Sequence, residues 1–388
     1  MSINEKRLGQ QLRTFEKILS EYKFEAPLAR FLTGYYKQNK QMGSNDRRMA
    51  SRLLYNYFRL GSSLEDLSVS LRLAVAEFLC TSSSDLVSLL DEKLALQLQE
   101  DLDTKIAYLK KEYNFTVSSI FPLIDEVSDK INIDGFLKSH FQQPNLFIRI
   151  HSGKEKIVKT ALKEERVSFE EIETNTLCFQ NGIQLDRIKS IQGKYEVQDL
   201  SSQRTASMFK ANPNDSWWDT CAGSGGKSIL LKQMQPSVSL LVSDVRESIL
   251  RNLDERFDKA GIKDFSRKII DLTKDPSAIL NNIRFDGIII DAPCSGSGTW
   301  GRTPEVLTSF TEEKLKHYSE LQKNLLENVI NYTKPGKPLI YITCSVYKRE
   351  NEEQVEFLKS KGFKVEEMSY FEGAGKGADT LFAARLSR

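Results

Sequence analysis

Apolar runs, most of which end on an acidic residue, recur through the second half of the sequence and constrain the fold more than any other feature. Helical segments separate these runs, and strands are predicted at Trp217–Asp219, Ser239–Asp244, Ile269–Asp271, Phe285–Asp291 and Pro338–Thr343. This alternation requires right-handed β-α-β crossovers, so it predicts an α/β fold with a mostly parallel, doubly wound sheet. Ligands of such sheets bind at the carboxyl ends of the strands. The residues that follow these runs are therefore the candidate site residues.

The first part of the chain follows other patterns. From Leu8 to about Tyr113, apolar residues recur at three- and four-residue spacing, which predicts a helical bundle. After Pro144, a strand-like run at 145–151 and a helical run at 156–165 predict a small α/β unit. A chain of 388 residues exceeds one ordinary domain. We therefore expect three domains: helical at 1–135, small α/β at 140–192 and the large sheet at 193–388.

Cysteine use and apolar content exclude several classes of protein. The five cysteines are dispersed and form no CxxC pair, so neither a metal site nor a disulfide framework is expected. No stretch approaches a membrane span, and the amino-terminal residues lack the apolar core of a secretory signal. We expect a cytoplasmic protein without a membrane partner, and a monomer because no zipper-like segment is evident.

Charge is distributed unevenly although the net charge is only +2. Residues 1–60 hold 12 Lys or Arg against 5 Asp or Glu. Three of these cations, Arg47, Arg48 and Arg52, lie within two turns of one predicted helix. Contact with nucleic-acid phosphates and an exposed helix face are both consistent with this pattern.

A glycine-rich loop follows the first strand of the predicted sheet. Its candidate ligand-binding residues are Cys221, Ala222, Gly223, Gly225, Gly226 and Lys227. A phosphate-binding GxxxxGK[ST] loop is excluded, because it requires glycine where this chain has Cys221, and the GxGxxG spacing of dinucleotide sites is absent. Asp244 and Asp271 close the next two predicted strands, where acids can bind ribose hydroxyls. A nucleoside-containing cofactor therefore suits this site.

Two cysteines follow two further buried runs. Asp291-Ala-Pro-Cys294 leads into a glycine-rich turn, and Thr343-Cys344 ends the last run. Because the carboxyl ends of parallel strands meet at one edge of a sheet, both thiols are expected beside the cofactor loop. That position favours chemistry over packing for this pair.

Three motifs resemble the signatures of the RsmB/Nop2/Sun family of RNA cytosine-5 methyltransferases. They are DTCAGSGGKS at 219–228, DAPCSGSG at 291–298 and YITCSVYKRENEEQV at 341–355. Residues 193–203 and 379–386 resemble the family's entry motif and closing strand. The resemblance implies S-adenosylmethionine as cofactor, a Rossmann-like sheet, a small RNA-recognition-like domain and, as in bacterial ribosomal RNA members, a NusB-like RNA-binding helical domain. Two departures are Ser224, where most members carry proline, and Trp300, which precedes Arg302-Thr-Pro-Glu305.

Cytosine carbon 5 is too weak a nucleophile to attack a methylsulfonium directly, so a thiolate must first add at carbon 6. The resemblance implies Cys344 as this nucleophile and Cys294 as the thiol that helps to release the product; the residues alone do not choose between them. Asp291 is expected to hydrogen-bond the ring nitrogen and exocyclic amine of the base, and it is also a candidate cofactor-binding residue. Lys227 is expected to lower a cysteine pKa or to orient the intermediate.

Other functions compete with this interpretation. A methyltransferase that acts on amino groups carries Pro-Pro and an aromatic residue after its acid, which Asp291-Ala-Pro-Cys294 lacks. A catalytically idle RNA-binding or ribosome-assembly factor would not need Asp291, Cys294 and Cys344. The expected partner is RNA, with ribosomal RNA as first choice and tRNA as second.

Overall fold

The computed structural model describes residues 3–388, and the chain divides into two compact units. The helical unit comprises residues up to 125, 132–143 and 300–312. The sheet unit comprises residues 126–131, 144–299 and 313–388. The predicted division into three domains stays a prediction.

The helical unit is a bundle whose core is built from the apolar residues at helical spacing, among them Phe15, Ile18 and Leu53, which are fully buried. Its helices are α1 Ile3–Glu21, α2 Leu28–Gln38, α3 Ser44–Phe58, α4 Val69–Cys80, α5 Asp85–Leu90, α6 Glu92–Leu96, α7 Leu102–Tyr113, α8 Ile133–Ser139 and α14 Val306–Ser309.

The arginines of α3 make contacts within this unit. Arg52 forms an ion pair with the buried Glu77 at 2.9 Å, and Arg47 donates to the backbone carbonyl of Met42 at 2.9 Å. Arg48 hydrogen-bonds Asn45. Two of the three guanidinium groups therefore brace the bundle, and their contact with phosphate stays a prediction.

The segment 300–312 is separated by more than 150 residues from the rest of the helical unit, yet it is part of that unit's core. The indole of Trp300 is buried and packs against Phe121 and Phe310, with ring centroids 5.1 and 4.9 Å apart. Glu305 is also buried, and its carboxylate accepts a hydrogen bond from the backbone N–H of Leu28 at 2.9 Å. Trp300 therefore has a packing role, which the sequence did not indicate.

The sheet unit begins with a small antiparallel sheet in the order β2-β3-β1-β4. Its core is formed by Ile148, Val158, Leu162, Leu177 and Phe179. The elements of this part are β1 Leu146–Ile150, α9 Glu155–Glu164, β2 Glu170–Glu173, β3 Thr176–Phe179, β4 Tyr195–Val197 and α10 Leu200–Arg204.

The second sheet has seven strands in the order β10-β11-β9-β8-β5-β6-β7. Strands β5 to β9 pair in parallel, and β11 and β10 add antiparallel pairs at one edge. The elements are β5 Ser216–Asp219, α11 Gly226–Met234, β6 Ser239–Asp244, α12 Glu247–Ala260, β7 Ser266–Ile269, α13 Ser277–Leu280, β8 Gly287–Asp291, α15 Glu312–Val329, β9 Pro338–Thr343, α16 Glu352–Ser360, β10 Lys364–Phe371 and β11 Leu381–Ser387. The predicted Rossmann-like α/β class is confirmed.

Successive residues of β5 face opposite sides of this sheet, as the two-residue period of a strand requires. Trp217 packs with the apolar residues of α11 and α12, whereas Trp218 packs with those of α15 and α16. Both indoles are fully buried. The sheet is therefore covered on both faces by helices.

One predicted strand is wrong in position. The third strand was expected at Ile269–Asp271, but β7 spans Ser266–Ile269, so Asp271 lies in the turn beyond it. Edge strand β7 exposes Ser266, Arg267 and Ile269, and such a strand lacks the apolar run by which buried strands are recognised. Within residues 3–388, no helix combines the length and the apolar character that a bilayer crossing requires.

Candidate active site

Strand β5 ends at Asp219, and the glycine-rich loop returns the chain into α11. Gly223 and Gly225 adopt φ of 52° and 86°, a region that favours glycine. A Cβ atom at Gly225 would lie 2.7 Å from the ring of Phe257. The backbone N–H of Ala222 donates to the carbonyl of Ser243 at 2.9 Å, which fixes the loop to β6. The glycines thus serve the turn and its close packing on α12.

Ser224, which replaces the family's usual proline, is held from α12. Arg256 donates to both the carbonyl and the hydroxyl oxygen of Ser224, at 2.9 and 2.7 Å. The same guanidinium pairs with the buried Glu196 at 2.6 Å, and Glu196 also bonds His151 at 3.3 Å. Side-chain hydrogen bonds therefore stiffen this loop at a position where proline would restrict φ directly.

The acids predicted to bind the cofactor occupy two different environments. Asp244 is buried; it accepts hydrogen bonds from the Gly223 N–H at 3.1 Å and from the backbone and side chain of Arg246 at 2.9 and 3.0 Å. Asp271 is half-buried, and Thr273 donates to it twice; these hydrogen bonds lower the pKa of the Asp271 carboxyl. Both carboxylates line one cavity.

This cavity has a volume of about 560 Å³ and lies at the carboxyl ends of the strands. Five predicted residues line it: Cys221, Asp244, Asp271, Asp291 and Cys294. The cavity lining does not include Cys344 or the loop residues Ala222, Gly223, Gly225, Gly226 and Lys227. Contact of these five loop residues with a cofactor therefore stays a prediction. Sequence reasoning missed the apolar and aromatic lining, which comprises Val245, Ile270, Leu272, Tyr318, Leu321 and Leu325.

Cys221 lines the cavity but is unsuited to nucleophilic attack. Burial raises the pKa of its thiol to about 12, so the sulfur keeps its proton at neutral pH. Asp219, at the end of β5, is fully buried as well, and the Ser228 hydroxyl donates to it at 2.6 Å. Burial raises the pKa of this carboxyl to about 7.

Lys227 and Asp291 form a pair at the end of β8. The Lys227 ammonium lies 3.1 Å from a carboxylate oxygen of Asp291 and 2.9 Å from the Ser202 hydroxyl. Lys227 is buried, whereas about a third of the Asp291 side chain is exposed. The ammonium therefore contacts the carboxylate predicted to meet the base, and this contact supports an orienting role more directly than an effect on a thiol.

The two candidate catalytic thiols are in contact with each other. Cys294 and Cys344 follow β8 and β9, which are neighbours in the sheet, and their sulfur atoms lie 3.3 Å apart. Both residues are partly buried. The hydrogen bond with Cys344 and burial raise the pKa of the Cys294 thiol. No group of three potential metal ligands occurs among residues 3–388.

A carboxylate that sequence reasoning did not single out joins the two thiol turns. Glu350 is fully buried, and it accepts hydrogen bonds from Ser295 and Ser345, the residues that follow Cys294 and Cys344. Its signal in the sequence was its place in the motif at 341–355, six residues after a candidate cysteine, within a run of charged residues.

The chain is similar in sequence to known ribosomal RNA methyltransferases. A family model described as 16S rRNA methyltransferase RsmB/F matches residues 206–385. Ribosomal RNA small subunit methyltransferase B of Xylella fastidiosa is 35% identical over 164 residues, which are 42% of this chain and 38% of that relative. The protein of the same name from Proteus mirabilis is 27% identical over 231 residues, 57% of this chain and 53% of that one. The matches thus span about two fifths to one half of these relatives' length.

Solved structures share the fold. PH0851 aligns over 100% of both chains with a TM-score of 0.72 and 21% identity. NSun6 from Pyrococcus horikoshii, solved with SFG, aligns over 66% of this chain and 93% of its own with a TM-score of 0.59 and 18% identity. The RsmB/F family consists of S-adenosylmethionine-dependent methyltransferases, which confirms the predicted cofactor. Residues 206–385 are therefore similar to the methyltransferase domain of the RsmB/F family.

Proposed function

We propose that this chain methylates carbon 5 of a cytosine in ribosomal RNA through a temporary bond between Cys344 and carbon 6 of the base. The observation that carries the proposal is the contact between the sulfur atoms of Cys294 and Cys344, which lie 3.3 Å apart. Cys294 also lines the cavity that is lined by Asp244, Asp271 and Asp291. Two thiols and a carboxylate beside a nucleoside-sized cavity suit activation of a pyrimidine better than they suit direct transfer to an amino group.

The cavity residues fit S-adenosylmethionine. Asp244 and Asp271 offer carboxylate oxygens to ribose hydroxyls, and Val245, Ile270 and Leu272 offer apolar surface to the adenine ring. Bound there, the cofactor supplies an electrophilic methyl group. The remaining chemistry belongs to the side chains at the ends of β8 and β9.

Addition of the Cys344 thiolate to carbon 6 forms the S–C6 bond and moves the C5–C6 π electrons toward the ring nitrogen, which takes up a proton from water and returns it to water when the C5–C6 double bond is restored. Asp291 accepts hydrogen bonds from that protonated nitrogen and from the exocyclic amine, and Lys227, 3.1 Å from Asp291, orients the carboxylate. Uracil presents an oxygen where cytosine presents the amine, so the carboxylate favours cytosine.

Release follows methylation: carbon 5 loses its proton to water, the S–C6 bond breaks and the sulfur of Cys344 leaves as thiolate. Cys294 lies at hydrogen-bond distance from that sulfur, and the bond with Cys344 and burial raise the pKa of its thiol. A hydrogen bond from Cys294 stabilises the departing thiolate. This assigns opposite roles to two residues of the same type.

Substitution of each cysteine tests the assignment. With S-adenosylmethionine and cellular RNA, Cys294→Ala is expected to accumulate a protein–RNA adduct that survives denaturing electrophoresis, whereas Cys344→Ala forms neither adduct nor product. Cys80→Ala, in the helical unit, is the control and should behave as the unmodified chain. Adduct formation by Cys344→Ala instead would exchange the two roles, and transfer of no label by the unmodified chain would refute the enzyme.

The ribosomal substrate is supported by the description of the matching family and by the names of the relatives from Xylella fastidiosa and Proteus mirabilis. Sequencing of 5-methylcytosine in total RNA, from cells with and without the gene, tests it. Loss of a single modified position in ribosomal RNA is expected. Loss of a position in tRNA would replace the substrate and leave the chemistry intact.

A further inference from the structure

We infer that Glu350 is the positioning residue that holds the two thiol-bearing turns together, and so sets the distance between the sulfurs of Cys294 and Cys344. The inference rests on the proposed two-thiol chemistry and adds to it a residue that is not among the lining residues of the cavity.

Glu350 is itself held rigidly. It lies six residues after Cys344 and two residues before the start of α16, and it is fully buried. The Tyr341 hydroxyl, from within β9, donates to the Glu350 backbone carbonyl at 2.6 Å. The Glu350 backbone N–H donates to the carbonyl of Tyr347 at 3.2 Å. The carboxylate is therefore presented from a fixed backbone.

Both carboxylate oxygens are fully used. One accepts from the backbone N–H of Ser295 at 2.8 Å and from the Gln322 amide at 3.0 Å. The other accepts from the hydroxyls of Ser295 and Ser345, each at 2.5 Å. Ser295 and Ser345 follow the two cysteines directly, so one carboxylate binds both turns at the residue next to each thiol.

Helix α15 completes this arrangement. The Gln322 amide that donates to Glu350 also donates to the carbonyl of Pro293, the residue before Cys294, at 3.0 Å. Cys294 is thus fixed on both sides, by Gln322 before it and by Glu350 after it. The two turns also bond each other further along, where the Gly298 N–H donates to the Cys344 carbonyl and the Val346 N–H donates to the Ser297 hydroxyl, each at 2.9 Å. Glu350 and Gln322 add the contacts at the residues that flank Cys294, and neighbouring strands alone do not fix the direction of a side chain beyond their ends.

The chemistry of a buried carboxylate supports a specific role. Burial raises the pKa of Glu350, because an ionised group in the interior loses its hydration. Charge on Glu350 also contributes to the raised pKa of Cys294, after the hydrogen bond with Cys344, burial and the charge of Cys344. An apolar side chain would fill this space at lower cost, but it could not accept hydrogen bonds from both turns.

A fluorogenic thiol cross-linker, dibromobimane, reports the distance between the sulfurs directly, since it becomes fluorescent when both of its ends are alkylated. Peptide mapping then identifies the bridge between Cys294 and Cys344. We expect Glu350→Ala to slow formation of this bridge at least about tenfold, because small displacements strongly lower the rate of proximity-dependent reactions. The exposed Glu353, three residues further on, provides the matched control Glu353→Gln, which should leave the rate unchanged.

Conservative variants keep the test decisive if Glu350→Ala does not fold. Glu350→Gln retains an oxygen that accepts from Ser295 and Gln322, and it should restore bridging to within about threefold of the unmodified chain. Ser345→Ala removes one arm of the arrangement and should slow bridging by a smaller factor than Glu350→Ala. Neither measurement requires cofactor or RNA, so its failure is distinguishable from failure of the proposed methylation.

Steady-state kinetics separate positioning from a general structural role. Glu350→Ala is expected to lower kcat about 100-fold, with KM for S-adenosylmethionine unchanged, because Glu350 does not line the cavity. Bridging at the rate of the unmodified chain in a folded Glu350→Ala protein would overturn the inference. So would a loss of activity that lies wholly in KM.

Discussion

Asp219 gives the sharpest prediction, because its carboxyl is fully buried beneath the glycine-rich loop. Burial raises its pKa from the ordinary 3.8 to about 7, although the Ser228 hydroxyl donates to it at 2.6 Å and opposes the rise. The folded chain therefore holds this proton more tightly than the unfolded chain does. The stabilising contribution of the group is complete below about pH 4 and is lost as the pH rises through about 7.

The magnitude follows from the elevation of the pKa. A rise from 3.8 to about 7 corresponds to about 4 kcal/mol of unfolding free energy, which disappears between these two pH values. Asparagine keeps an oxygen that accepts from Ser228 but does not ionise. Asp219→Asn should therefore be more stable than the unmodified chain at about pH 8, and the two should converge at about pH 4.

Urea unfolding, followed by tryptophan fluorescence at several pH values, measures this difference. Trp217 and Trp218 lie in the same strand as Asp219 and report on its surroundings. Titration of all other groups is common to both proteins and cancels in the comparison. Asp258→Asn, at an exposed position of α12, is the control and should follow the unmodified chain. Parallel stability curves for Asp219→Asn and the unmodified chain between about pH 5 and pH 8 would refute the argument.

Three further predictions follow from the site. Asp244→Asn should weaken the binding of S-adenosylmethionine about 10- to 100-fold, since a charged acceptor loses its charge. Calorimetry measures this affinity, and an unchanged value would show that Asp244 is not part of the cofactor site. Arg256→Ala leaves the buried Glu196 without a cation at 2.6 Å and should lower the unfolding free energy by about 2 kcal/mol, whereas an unchanged melting temperature would contradict this. Diamide, which accepts two electrons and two protons, should join Cys294 and Cys344 in a disulfide, because their sulfurs lie 3.3 Å apart. Mass spectrometry should show the loss of two hydrogens, and dithiothreitol should restore the original mass. Absence of this disulfide under conditions that oxidise other thiols would contradict the contact.

Much of the sheet could be predicted because buried parallel strands are continuous apolar runs. Strands β6 and β9 have the predicted bounds, Ser239–Asp244 and Pro338–Thr343. Edge strand β7 was misplaced, since one exposed edge weakens the apolar signal. The packing of segment 300–312 into the helical unit was not predictable, because a contact between residues separated by more than 150 positions leaves no local pattern.

The candidate site divides in the same way. The motifs identified the loop, the acids and both cysteines as chemistry-bearing residues. They assigned Asp244 to a ribose, whereas the fold also makes it the acceptor for Gly223 and Arg246. They did not single out Glu350, because a buried acid and a surface acid look alike until their neighbours are known.

The sequence by itself determined which strands end in acids or thiols, and so which residues reach one edge of the sheet, because strand period and chain direction are local properties. Only the tertiary structure decided that β8 and β9 are neighbours, that their two sulfurs lie 3.3 Å apart and that one carboxylate joins the turns after them. Distances of this kind depend on the lateral order of strands and on hydrogen bonds beyond their ends, and both are set by the packing of the whole sheet.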